Sequence, residues 1–163
     1  MWSIENPRLY HAVSLIMEGD VVLHEKTEPF GFREFWISGD RYFLNGVPIN
    51  LRGDNFIQHG ENHLHKYLVL DENNFSAILD TLKAYHCNSV RFGAGPPPQW
   101  MLDLCDRKGL YVLCGSAVSS KGPERGDLNF LANAKTWIAE WVRQYRNHPS
   151  ILGWVAENEQ WYY

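Results

Sequence analysis

From about residue 50 onward, short apolar runs alternate with longer segments of helical period, and no other feature of the chain constrains its fold as much. The runs are "INLRGDNF" at 49–56, "NSVRF" at 88–92, "LYVLC" at 110–114 and "ILGWV" at 151–155. Most are continuous rather than alternating, the pattern of strands buried on both faces. Between them, Phe75, Ile78, Leu79 and Leu82 fall at i, i+3, i+4 and i+7 of an amphipathic helix over 74–85. Met101, Leu104 and Cys105 share one face of 98–107, and Gly109 stands where a helix-ending glycine belongs. Ala134, Trp137, Ile138, Trp141 and Tyr145 align along 130–146, and Pro149 stops that helix ahead of the last strand. The order βαβαβαβ predicts a parallel sheet covered by helices.

Two architectures carry such a sheet, the doubly wound fold and the (β/α)8 barrel. No G-x-G-x-x-G or G-x-x-x-x-G-K-[ST] follows any strand, which removes the main support for a nucleotide-binding doubly wound fold. Polar residues instead collect at the expected strand ends, namely Arg52 to Asn55, Arg91 and Glu157 to Glu159, where barrel enzymes place their chemistry. A whole barrel takes about 250 residues. Residues 38–163 therefore read as the first four βα units of a TIM barrel.

Residues 1–37 have a different character. "LYHAVSLIM" and "VVLHEK" read as strands joined by a turn at Glu18-Gly19-Asp20, with "GFREFWI" as a third strand. So few strands are not stable alone, and they are expected to end a larger sandwich or to pack on the segments C-terminal to them. "RYFLNGVPINL" predicts a small hairpin turning at Asn45-Gly46 in a type I′ turn.

The net charge of −4 gives no basic field to attract nucleic acid or an anionic membrane, and no apolar run has membrane-spanning length. "MWSIENPRLY" lacks the basic start and apolar stretch of a signal peptide and reads as the middle of a folded domain, so location is left open. Cys87, Cys105 and Cys114 form no C-x-x-C pair, and are expected to be buried apolar thiols rather than a disulfide framework or a zinc site. The spacing of His59, His63 and His65 suits neither a helical metal motif nor a zinc finger. They read as polar loop histidines, with no metal and no cofactor expected. The prolines at 96–98 and the segment 115–127 read as rim loops. One residue demands a use: Glu159, just past a buried strand, is costly to desolvate unless it is paired or working.

In this order, "WSIENPRLY", "GFREFWI", "FLNGVPINLRGDN", "NSVRF", "LCDRKGLYVL" and "RNHPSILGWVAENE" resemble glycoside hydrolase family 2, the β-galactosidases, β-glucuronidases and β-mannosidases. The resemblance implies that residues 1–37 are the last strands of an immunoglobulin-like β-sandwich and that 38–163 are the N-terminal half of a TIM-barrel catalytic domain. It implies Glu159 as general acid/base and Asn158 as the residue that hydrogen-bonds the sugar 2-hydroxyl. Trp154 matches the tryptophan of the same motif, Arg91 an arginine lining the site floor, and Arg52 and Asn55 the Arg-Gly-x-Asn of the first strand. Asn158, Arg91, Asn55 and Trp154, with His59 from the run after Asn55, form the sugar-binding set that the resemblance implies. The chain also departs from the family. Glu157 stands where glycine is usual, Ala94 where a site histidine is usual, and Cys114-Gly115 where acidic residues are common.

A retaining glycosidase needs two carboxylates about 5 to 5.5 Å apart, and the family takes its nucleophile from a later strand. Glu157 cannot replace it, because two groups on one strand cannot flank a glycosidic bond from opposite faces. The expectation is therefore a fragment of a retaining β-glycoside hydrolase, inactive by itself, with carbohydrate as its ligand. The competing expectations are a non-catalytic carbohydrate-binding or assembly module, and half of a split enzyme that associates through open barrel edges.

Overall fold

The computed structural model describes residues 1–57, 71–93, 95–116 and 128–157. Strands β1 (Tyr10–Glu18) and β2 (Val21–Phe30) form an antiparallel ribbon that turns at Gly19, whose φ of 59° suits glycine. Val13, Leu15 and Met17 lie along one face of β1 and all are exposed. With an uncovered apolar row on two strands only, the ribbon resembles a remnant of an immunoglobulin-like sandwich.

Strands β3 (Phe35–Ser38), β4 (Arg41–Leu44) and β5 (Val47–Ile49) form a second antiparallel sheet. Asn45 and Gly46 link β4 to β5 with φ of 51° and 84°, as a type I′ turn requires. The third N-terminal strand differs from expectation in its bounds, being shorter than "GFREFWI", and its pairing is with the segment that follows it, β4. The cause lies just ahead of it. Gly31 abuts Pro149, and Arg33 donates to the carbonyls of Pro149 and Ile151, which draws the chain away from β1 and β2.

The remaining strands are β6 (Gly53–Ile57), β7 (Ser89–Gly93), β8 (Tyr111–Gly115) and β9 (Ile151–Val155), all parallel and in sequential order. Between them run α1 (Glu72–Ala84), α2 (Gln99–Lys108) and α3 (Leu128–Tyr145). Asp71 caps α1 by accepting from the Asn74 N–H, and Gly109 ends α2 at a left-handed φ of 71°. One core, with Phe75, Leu79, Met101 and Trp141 from the helices against Val90 and Phe92 from the sheet, joins all three helices to the same face. Among the described residues no helix covers the other face, as in a barrel wall and unlike a doubly wound fold.

A second core closes the end where the strands begin. Trp2 is fully buried against Tyr111 and Leu44, a burial that contributes about 1.5–3 kcal/mol for a large apolar side chain. Its indole N–H donates to the Asp106 carbonyl at 2.9 Å, and its own carbonyl accepts from Asn45 Nδ2 at 2.9 Å. The N-terminal segment, the hairpin and the sheet are thus one packed unit.

Candidate functional site

Strand alternation decides which side chains face away from the helices. In β7, Val90 and Phe92 are buried beneath α1 and α2, so Arg91 between them projects to the other face. Its register partner on β6 is Asn55, and across β8 and β9 the same row continues through Leu113 and Gly153. Arg91 Nη1 donates to Asn55 Oδ1 at 3.3 Å. The backbone N–H of Asn55 is held by Asp54 Oδ1 at 2.7 Å. A Cβ on Gly53 would lie 1.9 Å from the Ser89 carbonyl oxygen, so glycine is what lets β6 lie this close to β7. The result is a face that none of α1 to α3 covers, carrying a guanidinium and an amide side by side, a surface suited to hydroxylated ligands.

Several sequence expectations change in position. Arg91 does not end its strand but is the third residue of five, and Asn55 lies in the middle of β6 rather than at its end. Arg52 precedes β6 and so stands at the opposite end from where chemistry was expected. Its N–H donates to Asn88 Oδ1 at 2.8 Å and its Nε to the His86 carbonyl at 3.1 Å, which makes it a link between strand and helix. Trp154, expected to bind substrate, packs instead in the helix-covered core. Its ring lies edge-on to Trp141 with centroids 4.9 Å apart, because Gly153 occupies the Arg91 row and the next residue must point the other way. Glu159, Asn158, His59, His63, His65 and Ala94 lie outside the described residues, and Glu157, half-buried, lies two residues past the end of β9.

The Cys114-Gly115 departure has a structural basis. Cys114 is buried on the helix side, and burial pushes its thiol up to about 12. Gly115 is pressed against β7, where a Cβ would meet the Phe92 carbonyl oxygen at 2.0 Å. With this backbone no acidic side chain fits at 115.

One polar cluster has no sequence signature. His148 Nδ1 lies 2.6 Å from Asp106 Oδ2, and Asp106 Oδ1 accepts the Ser150 N–H at 3.0 Å. Asp103 Oδ1 stands 3.7 Å from the same His148 nitrogen, and burial raises the Asp103 pKa above its usual value. Asp103, Asp106 and His148 bring ligand-type atoms within 4.8 Å of one another; Asp106 is already bonded to His148 and Ser150, whereas the buried Asp103 Oδ1 has no hydrogen-bond partner. Forty-two residues separate Asp106 from His148, so no local pattern reveals the pair.

A parallel sheet with helices on one face and an Arg–Asn pair on the other defines the wall of a (β/α)8 barrel with polar residues on its inner face. The family is glycosyl hydrolases family 2: its TIM barrel domain model matches residues 35–163, and the chain belongs to this family. The chain is 32% identical over 166 residues to a β-galactosidase of Klebsiella pneumoniae, covering 97% of this chain and 16% of that protein. A Vibrio vulnificus β-galactosidase gives 32% over 167 residues with the same coverage. Among solved structures, Parabacteroides merdae β-glucuronidase superposes with a TM-score of 0.81 at 25% identity, covering 97% of this chain and 19% of that one. Bacteroides uniformis β-glucuronidase 3 gives 0.80 at 27%, covering 98% and 20%. The chain thus spans about a sixth of the length of the curated relatives it matches.

Proposed function

We propose that this chain is the acid/base-bearing part of a glycosidase that hydrolyses β-glycosides with retention of configuration. Glu159 is the general acid/base, giving a proton to the departing oxygen and then taking one from water. Asn158 holds the sugar 2-hydroxyl, Arg91 and Asn55 line the floor, and His59 adds a polar group from the loop after β6. The nucleophile comes from a strand outside this chain. Residues 1–37 act as the end of a β-sandwich and 38–163 as the first half of the barrel, whose open edges at β6 and β9 are then where the remaining strands pair.

The observation that carries this reading is the Arg91–Asn55 pair, on the face opposite α1 to α3 in a chain that belongs to a glycosidase family. The names of the relatives, β-galactosidases and β-glucuronidases, support a β-glycoside as ligand. The test uses the longer protein that contains this sequence, assayed on aryl and alkyl β-glycosides. Glu159→Ala is expected to abolish cleavage of poor leaving groups, to spare the first step with activated aryl glycosides, and to yield glycosyl azide when azide is added. Unchanged cleavage of alkyl glycosides would reject the assignment.

A second reading, a carbohydrate-binding module without catalysis, is favoured by Ala94 in place of the usual histidine. Sugar binding without turnover by the longer protein would select it.

A further inference from the structure

The last strand is under-determined by its own sequence. Ile151-Leu152-Gly153-Trp154-Val155 has no polar residue to mark a face, so hydrophobic pattern alone does not choose between registers one residue apart. Its pairing with β8 even contains a shift, since Val112 faces Ile151 while Leu113 faces Gly153. The strand is nonetheless held at both ends. At its start, Arg33 Nε donates to the Pro149 carbonyl at 2.7 Å and its Nη2 donates to the Ile151 carbonyl, so one guanidinium spans Ser150. Asp106 takes the Ser150 N–H on the same stretch. Gly31 lets the chain come this near, for a Cβ there would sit 2.7 Å from Pro149 Cγ. At its exit, the Ser116 N–H donates to the Val155 carbonyl at 2.9 Å and its hydroxyl to the Ala156 carbonyl.

We propose that Arg33 is a positioning residue: reaching in from the segment ahead of β3, it sets the register of β9 on β8. Residues 31–33 precede the stretch that matches the barrel domain, so the setting is imposed from outside that domain. A slip of one residue would turn Trp154 from the Trp141 side to the Arg91 side and move everything beyond β9 by about 3.3 Å along the strand. Glu159 lies four residues past Val155. The consequence for catalysis rests on the glycosidase reading above, whereas the register claim does not.

The experiment is native-state hydrogen exchange on this chain, with the Trp154 indole N–H followed by NMR. Arg33→Ala is expected to speed exchange about tenfold in residues 151–155 and at the two β8-side donors Val112 and Ser116, leaving β6 and β7 protected. The Trp154 indole resonance is expected to move. Arg33→Lys, with one donor centre in place of a fork, restores part of the protection and returns the resonance toward its original position. Equal acceleration in every strand, or no change in β9, with an unmoved Trp154 resonance, would reduce Arg33 to a general stability contact and overturn the proposal. If Arg33→Ala does not fold, Gly31→Ala displaces Pro149 with Arg33 intact and must give the same strand-selective pattern. Glu159→Gln leaves the exchange pattern unchanged, so loss of the acid/base assignment and loss of the register claim are separately visible.

Discussion

His148 Nδ1 and Asp106 Oδ2 meet at 2.6 Å, both residues buried, and this contact ties the end of α3 to α2 at the closed end of the sheet. Removing one partner strands the other. Asp106→Ala also frees the Ser150 N–H, and is expected to cost about 3–5 kcal/mol. Asp106→Asn, which keeps acceptors for Ser150 and His148, is expected to cost less. Urea denaturation of both variants measures the difference, and equal midpoints would show that the carboxylate carries no bond of consequence.

Asp103 predicts a pH dependence of opposite sign to that of a salt-bridged carboxylate. Burial, the largest cause, raises its folded pKa above the usual 3.8 against the opposing pull of His148. The folded state therefore binds more protons than the unfolded chain between the two pKa values, so its contribution to stability is present below 3.8 and is lost as pH rises through the folded value. Asp103→Asn is expected to raise the melting temperature at pH 7 and to lose that advantage at pH 3. Tm measured across pH 3–7 for the two proteins decides it, and a constant difference would refute it.

Gly53→Ala tests the close approach of β6 to β7. A Cβ 1.9 Å from the Ser89 carbonyl oxygen cannot be absorbed by a side-chain rotation, because the obstacle is backbone. A loss of about 3 kcal/mol or more is expected. Gly39→Ala is the contrast, since nothing lies within 4 Å of its Cβ and only its φ of 59° opposes the change. The two substitutions compared by urea midpoint should differ severalfold in cost.

The three thiols should separate by accessibility. Cys105 and Cys114 are buried, burial pushes both pKa values up, and only Cys87 is partly exposed. Iodoacetamide at pH 8 is expected to label Cys87 in the native chain and the other two only in denaturant, read by peptide mass spectrometry. Native labelling of Cys114 would contradict the packing of β8 under the helices.

Much of the architecture was legible residue by residue. The stripe from Ala134 to Tyr145 gave α3, Gly109 gave the end of α2, and Asn45-Gly46 gave the hairpin turn, because each is fixed by neighbours within a few positions. The chemical character of Asn55 and Arg91 was visible too, but not their place inside strands, since boundaries depend on pairing with chain segments far away. Trp154 was misplaced for a related reason: its side follows from the pairing of Gly153 with Leu113, and the apolar run around it carries no alternation to reveal this.

The sequence by itself determined the βα alternation, the parallel sheet, the family and the residue types offered to a ligand, all of which rest on local period and ordered motifs. Only the tertiary structure decided that Arg52 serves a helix end, and that Asp106, His148 and Arg33 converge on the start of β9. Those contacts join residues separated by 34 to 116 positions. Their partners are chosen by how the layers pack, and a period of two or of three and six-tenths residues carries no record of that choice.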